Sequence, residues 1–139
     1  MRVMLDTNIF ISAIFFPTAS TWHFLSVLSN NATIVLCDYI ITEIRRINQK
    51  KFANKNIDFD AFLLNLPHEM VSTSFAETIE EMPKIRDPKD SPILATAIAE
   101  NVDVLVSGDK DFLVLDIPKP RIMNMSDFIN EYGHGPALK

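Results

Sequence analysis

The sequence is poor in cysteine, which excludes a small protein held together by disulfides and disfavours one built around a structural zinc ion. Cys37 is the one cysteine among 139 residues, so the chain forms no internal disulfide. A structural zinc site is disfavoured as well, because His23 and His68 stand alone without the spacing of zinc ligands. We therefore expect a protein of a reducing compartment, the cytoplasm, in which Cys37 is a small core residue.

Long hydrophobic runs and an excess of positive charge are missing too. No segment approaches the roughly 20 apolar residues of a membrane helix, and Asp6 interrupts the apolar N-terminus early. Thirteen basic residues against eighteen acidic ones give a net charge of -5, which disfavours tight nucleic-acid binding through bulk charge. A metal-dependent nuclease is still allowed, because acidic metal ligands count fully in that sum and bound cations offset them.

Strand-like and helix-like patterns alternate along the chain, without an internal repeat or a low-complexity segment. This alternation, the length and the 47% hydrophobic content indicate a single α/β domain with a mostly parallel sheet. We predict that the domain spans residues 1–132 and that residues 133–139 form a flexible C-terminal tail. The predicted N-caps of three helices are Ser20 or Thr21, Asp38, and Ser126.

Acidic residues directly follow two of the predicted strands. Residues 3–5 read as a short buried strand that Asp6 ends, and Asp109 and Asp111 follow the apolar run at 103–107. In open α/β sheets ligands bind in the crevice beyond the carboxyl ends of the strands. A turn role would be ordinary for any one of these acids. Taken together, they predict an acidic site at that edge of the sheet.

A further acid lies on the inward face of a predicted helix. Ile40, Ile44 and Ile47 recur at helical spacing and define a core-facing stripe, on which Glu43 also falls. A glutamate that faces inward needs a partner. A purely structural partner for Glu43 would be an arginine or a backbone amide. A site of clustered acids instead favours a metal ion as its partner.

The third acidic cluster lies in a turn before another predicted helix. Pro92 suits the first turn of this helix, and either Asp90 or Ser91 can cap it. One acid satisfies a cap, although Asp87 could brace the turn, so we rank Asp90 above Asp87 as a metal ligand. Oxygen ligands favour a hard cation. Without metal the clustered acids repel, so at least one of them should have a raised pKa.

In this order the acidic motifs resemble those of the PIN-domain ribonucleases, particularly the small toxin-type members called VapC-like. The resemblance covers nearly the whole chain, and four motifs in the right order are specific, although each alone is common. The motifs are Asp6-Thr7-Asn8, Ile41-Thr42-Glu43-Ile44, Asp87-Pro88-Lys89-Asp90 with Ala95-Thr96-Ala97, and Ser107-Gly108-Asp109-Lys110-Asp111-Phe112.

The resemblance implies a three-layer α/β/α fold with a central, mostly parallel sheet. It implies hydrolysis of RNA phosphodiesters by an activated water, with Mg²⁺ or Mn²⁺ as cofactor. It also implies a protein antitoxin as partner and a homodimer. The residues that match the catalytic and metal-binding acids of the family are Asp6, Glu43, Asp90 and Asp109. The matching accessory residues are Asn8, Ser107, Asp87 and Asp111.

Two other functional classes fit parts of the sequence. The first is a binding module that keeps the fold without catalysis, which a complete set of four acids disfavours. The second is a Mg²⁺-dependent α/β phosphatase of the haloacid-dehalogenase type. Such an enzyme needs a second Asp two residues after the first, where this chain has Asn8.

Overall fold

Five short parallel strands form the centre of the protein, in the spatial order β3-β2-β1-β4-β5. The structure is a computed structural model that describes residues 1–133. The strands span Arg2–Leu5 (β1), Thr33–Cys37 (β2), His68–Val71 (β3), Val104–Val106 (β4) and Arg121–Met123 (β5). The predicted mostly parallel sheet is thus confirmed, and every pair of neighbouring strands in it is parallel.

Helices cover the sheet and complete the expected three-layer α/β/α fold. They span Thr7–Phe15 (α1), Ala19–Asn31 (α2), Asp38–Lys51 (α3), Phe59–Leu64 (α4), Ser91–Ala99 (α5), Lys110–Leu113 (α6) and Met125–Tyr132 (α7). Helix α1 packs against α3, α3 against α5, and α2 against α7. Helices α1 and α3 therefore lie side by side, and both begin where a strand ends.

The three inner strands are made of apolar residues because helices cover both faces of the sheet. Val3, Met4 and Leu5 of β1 are fully buried, and so are the residues paired with Met4 on either side, Val35 and Leu105. Continuous burial of this kind is typical of parallel strands. The sequence pattern does not predict β3 and β5, which lie at the edges of the sheet and are only partly buried.

The order of the strands produces a topological switch point beside β1. From β1 the chain continues to β2 and β3 on one side, and it later returns to β4 and β5 on the other. The loops after β1 and β4 therefore diverge and leave a crevice at the carboxyl edge of the sheet, where α/β proteins bind their ligands.

Two of the predicted helix caps are wrong by a few residues. Thr18, not Ser20 or Thr21, caps α2, and Thr21 completes a reciprocal capping box with it. Asn124, not Ser126, caps α7. In both helices more than one polar residue near the start was able to cap, so composition alone did not decide between them.

The prediction for Asp38 is also wrong, for a tertiary reason. Cys37 is at the N-cap position of α3, and Asp38 is the first helical residue. One carboxylate oxygen of Asp38 accepts hydrogen bonds from the backbone N–H and the hydroxyl of Thr73, at 2.9 and 2.7 Å. These bonds from Thr73 lower the pKa of Asp38. Asp38 thus joins the start of α3 to the segment after β3.

The predicted domain boundary after residue 132 stays a prediction. Helix α7 spans Met125–Tyr132, and most of the predicted tail, residues 134–139, lies outside the described residues. Within residues 1–133, none of the helices combines the length and the apolar character that crossing a membrane requires.

Candidate metal centre

The end of β1 places Asp6 at the switch point, where the residue is held from several directions. Its backbone N–H donates to Val106 of β4 at 3.1 Å. Asp6 caps α1, with one carboxylate oxygen accepting from the N–H of Ile9 at 3.0 Å. The other oxygen accepts from the hydroxyl of Ser107. Asp6 is only 3% exposed. Burial raises its pKa, and the bonds from Ser107 and Ile9 partly offset that effect.

Ser107 ties Asp6 to the acids of the fourth motif. Its fully buried hydroxyl donates to Asp6 and accepts from the backbone N–H of Asp109 at 2.9 Å. Asp109 in turn caps α6, with its carboxylate accepting from the N–H of Asp111 at 2.9 Å. One small side chain thereby fixes the relative positions of the acids that follow β1 and β4.

Glu43 reaches the same region from α3. Its carboxylate accepts a hydrogen bond from the hydroxyl of Thr7 at 3.1 Å, across the contact between α1 and α3. Arg46 lies one turn further along α3, with its guanidinium 3.8 Å from the other oxygen of Glu43. The side chain of Glu43 is 19% exposed. Its partners are therefore a hydroxyl and a distant, half-exposed arginine, and a close buried ion pair is not formed.

Among the acids near the cleft, Asp90 has the fewest side-chain hydrogen bonds within the described residues. It occupies the N-cap position of α5, but its side chain makes no capping hydrogen bond. Its Oδ2 atom is inaccessible to solvent and has no hydrogen-bond partner among the described residues. Burial, followed by repulsion from Asp109, Asp87 and Asp6, raises the pKa of Asp90 to about 7. The side chain of Asp90 therefore does not cap α5, and capping does not explain why an acid is found at this position.

The two acids taken as accessory have different surroundings. Asp87 accepts from the N–H of Lys89 at 3.0 Å, so it does brace the turn before α5. Asp111 accepts from the guanidinium of Arg86 at 2.9 Å. Single carboxylate oxygens of Asp90, Asp109 and Asp111 lie within 4.8 Å of one another. The tightest group of acids thus includes Asp111, which the sequence ranked below Glu43 and Asp6.

A cleft of about 170 Å³ lies among these side chains. Its walls include four acids from four separate elements, together with the accessory residues Asn8 and Asp87. The four acids are Asp6, Glu43, Asp90 and Asp109. Within the described part of the chain, larger cavities occur elsewhere, such as one of about 480 Å³ that includes Phe75 and Lys84, but they contain no group of clustered acids. The cleft therefore has the size and polarity for cations and a phosphate group.

Three residues of the site were not identified as such from the sequence. Thr7 holds Glu43, and only its place between Asp6 and Asn8 hinted at a role. Lys89 contributes to the wall of the cleft. Tyr39 donates its hydroxyl to the backbone carbonyl of Lys89 at 2.8 Å and so braces the turn before Asp90. No sequence pattern indicated this last contact, because it joins the start of α3 to a distant loop.

The chain matches known proteins at the level of sequence family and of fold. A family model described as PIN domain matches residues 2–111, a range that includes all the acids of the cleft. The structure of VapBC2 from Rickettsia felis bound to a DNA fragment from their promoter is similar, with a TM-score of 0.66 and 26% sequence identity. The match covers 89% of this chain and 98% of that one. No curated protein matches the sequence significantly.

Proposed function

Since this chain belongs to the PIN-domain family and is VapC-like, we propose that it is a ribonuclease that hydrolyses RNA phosphodiesters with the help of Mg²⁺ or Mn²⁺. Nuclease activity is the general property of such domains. The metal dependence, the choice of RNA and the roles of single residues are our proposal for this chain. They rest on the geometry of the acidic cleft.

The observation that carries the proposal is the buried oxygen of Asp90 without a partner. A buried carboxylate oxygen that accepts no hydrogen bond is costly, and four neighbouring acids increase that cost. A divalent cation would satisfy the oxygen and offset the repulsion between the acids. The donors are all oxygen atoms, which suits Mg²⁺ or Mn²⁺ better than a softer metal.

The residues that would hold the cation are Asp90, Asp109 and Asp6, with Glu43 on the opposite helix and Asp111 beside them. When bound, such a cation supplies Lewis-acid charge to a phosphodiester and lowers the pKa of water. Two of these acids have their positions fixed by the protein, since hydrogen bonds from Ser107 and Ile9 orient Asp6 and one from Thr7 orients Glu43. A preorganised set of ligands of this kind loses little entropy on binding.

Lys89 contributes a basic side chain to the wall of the cleft. We propose that its ammonium group binds a non-bridging phosphate oxygen of the substrate. Arg86 and Arg45 are less suitable for this role, because their guanidinium groups already pair with Asp111 and Asp60, at 2.9 and 2.6 Å.

We further propose that the chain is the toxin of a toxin–antitoxin pair and forms a homodimer. Support comes from the similar structure of VapBC2 bound to promoter DNA. Trp22 is 59% exposed, whereas Phe24, two residues later, is fully buried, and the exposure of Trp22 suits an interface. Light scattering of the purified chain tests the homodimer, and mass spectrometry of small proteins that co-purify with the chain from its own cells tests the antitoxin.

The experiment that tests the activity is cleavage of a mixed pool of structured and single-stranded RNAs in Mg²⁺ or Mn²⁺. The wild type is compared with Asp6→Asn and Asp90→Asn, and with Asp116→Asn as a matched control at an exposed acid. We expect cleavage that leaves 5′-phosphate ends, that a chelator abolishes, and that only the control variant retains. Absence of both cleavage and metal binding in the wild type would instead favour the non-catalytic binding module.

A further inference from the structure

The positive charge of this acidic protein is concentrated in one short segment. Five of its thirteen basic residues lie in the eleven positions from Arg45 to Lys55, and the segment contains no acid. The whole chain has a net charge of -5. A polyanion that approaches the acidic cleft is repelled unless a local positive surface guides it. The position of this segment relative to the cleft therefore decides whether it has such a role.

Part of the segment continues the wall of the cleft along α3. Glu43 and Ile47 both contribute to the cleft. Lys50 is seven residues after Glu43, so it lies on the same face of the helix, about 10 Å further along it. Arg46 is on this side as well, because its guanidinium lies 3.8 Å from the carboxylate of Glu43. Two cations thus follow one another away from the acidic cleft.

The far end of this surface carries an exposed aromatic ring. Phe16 directly follows α1, the helix that Asp6 begins, and is 51% exposed. Its ring meets that of Phe52 edge-on at 5.3 Å, and the ammonium of Lys55 lies 4.8 Å from its centroid. Because α1 and α3 run side by side, Phe16 and Lys55 lie at the end of the helix pair opposite to the cleft.

The three lysines of the segment form no ion pair within residues 1–133, unlike its two arginines. No carboxylate lies within 4.0 Å of the ammonium groups of Lys50, Lys51 or Lys55, whereas Arg45 pairs with Asp60 at 2.6 Å and Arg46 lies 3.8 Å from Glu43. Cations that pair with surface acids are partly neutralised. The lysines of this segment keep their charge for an anionic partner.

We propose that the surface made by Arg46, Lys50, Lys55 and Phe16, here called the basic strip, binds single-stranded RNA next to the phosphate in the cleft. The lysines contact phosphates, and the half-exposed ring of Phe16 stacks on a base. A basic groove with an aromatic platform is the usual design for single-stranded nucleic acid. The inference rests on the ribonuclease function proposed above.

The first test is binding of a fluorescent single-stranded RNA of random sequence, measured by anisotropy in the presence of a chelator. The variant Lys50→Gln/Lys55→Gln is compared with Lys119→Gln/Arg121→Gln, which removes the same charge at the opposite edge of the sheet. We expect the strip variant to reduce the slope of log affinity against log salt by about 1.4, at about 0.7 for each lost phosphate contact. The control should keep the wild-type slope.

The second test concerns the ring. Phe16→Leu keeps the apolar contact with Phe52 but removes the aromatic face, and Phe16→Tyr retains that face. We expect Phe16→Leu to weaken RNA binding at least about fivefold and Phe16→Tyr to bind as the wild type does. Urea unfolding of each variant verifies that the fold is retained.

The proposed RNA binding by the strip and the proposed ribonuclease activity can be disproved separately. With bis(p-nitrophenyl) phosphate, a phosphodiester too small to reach the strip, the strip variants should match the wild type in kcat/KM while their RNA cleavage falls. A wild type that cleaves neither substrate in Mg²⁺ or Mn²⁺ overturns the activity alone. The strip is overturned if the wild type does not bind RNA in chelator, or if its variants bind RNA normally. If the strip variants lose binding to polyglutamate but still bind RNA as the wild type does, the surface belongs to a protein partner instead.

Discussion

Replacing Asp90 by Asn should stabilise the metal-free protein at neutral pH, although Asp90 is proposed to be essential for activity. Its pKa is about 7 in the folded protein, against 3.8 for an unperturbed Asp. Between about pH 4 and pH 7 the folded state therefore holds a proton that the unfolded state has lost. Stability falls as pH rises through this window and does not change further above it. Asn cannot ionise, so the variant does not lose this stability as the pH rises.

The size of the effect follows from the same pKa. Each tenfold change in proton affinity is worth about 1.4 kcal/mol, which gives an upper limit of about 4 kcal/mol for ionising Asp90 in the folded state. One oxygen of Asp90 is inaccessible, but the residue as a whole is partly exposed. Solvent screening then reduces the expected gain to about 1–2 kcal/mol. The raised pKa of Asp6 acts in the same direction and remains in the variant.

The assay is urea unfolding with a chelator present, across the pH range in which Asp90 ionises. Asp90→Asn should equal the wild type at the acidic end and exceed it at the neutral end, whereas Asp116→Asn should follow the wild type throughout. Saturating Mn²⁺ should reverse the order, since a ligand at about 100 times its Kd stabilises the wild type by about 2.7 kcal/mol. A variant less stable than the wild type in chelator at neutral pH would show that ionised Asp90 does not destabilise the folded protein.

Two further substitutions test how the protein positions the acids. Ser107→Ala leaves Asp6 and the N–H of Asp109 without their shared partner, so the free energy of unfolding measured in urea should fall by about 1–3 kcal/mol; an unchanged value would contradict the bridging role. Tyr39→Phe removes the 2.8 Å hydrogen bond to the carbonyl of Lys89. Calorimetry should show Mn²⁺ affinity about tenfold weaker, with unfolding free energy reduced by only about 0.5–1.5 kcal/mol. Wild-type Mn²⁺ affinity would exclude a positioning role for Tyr39.

The central part of the fold was predictable because short apolar runs ended directly in acids. Asp6 and Asp109 follow β1 and β4, and the parallel sheet brings those strand ends to one crevice. The inward direction of Glu43 followed from its position among isoleucines. These inferences used patterns within one segment together with a rule for where α/β sheets bind ligands.

The sequence did not reveal features that depend on contacts between distant segments. Asp38 has the composition of a helix cap, but a hydrogen-bonding partner after β3, Thr73, takes its carboxylate. The edge strands β3 and β5 are short and partly exposed, so they lack the apolar signature of the inner strands. Likewise, no local pattern distinguished Asp111, which lies close to Asp90 only in the folded chain.

The central claim, that these carboxylates form a divalent-metal site, is tested most directly by anomalous scattering from crystals grown in Mn²⁺. A divalent-metal site should give an anomalous peak in the cleft, in contact with carboxylate oxygens of Asp90 and Asp109, and no such peak in crystals of Asp90→Asn. A wild-type crystal that shows no peak in the cleft, with the Oδ2 atom of Asp90 bound to a protein group or to water, would contradict it.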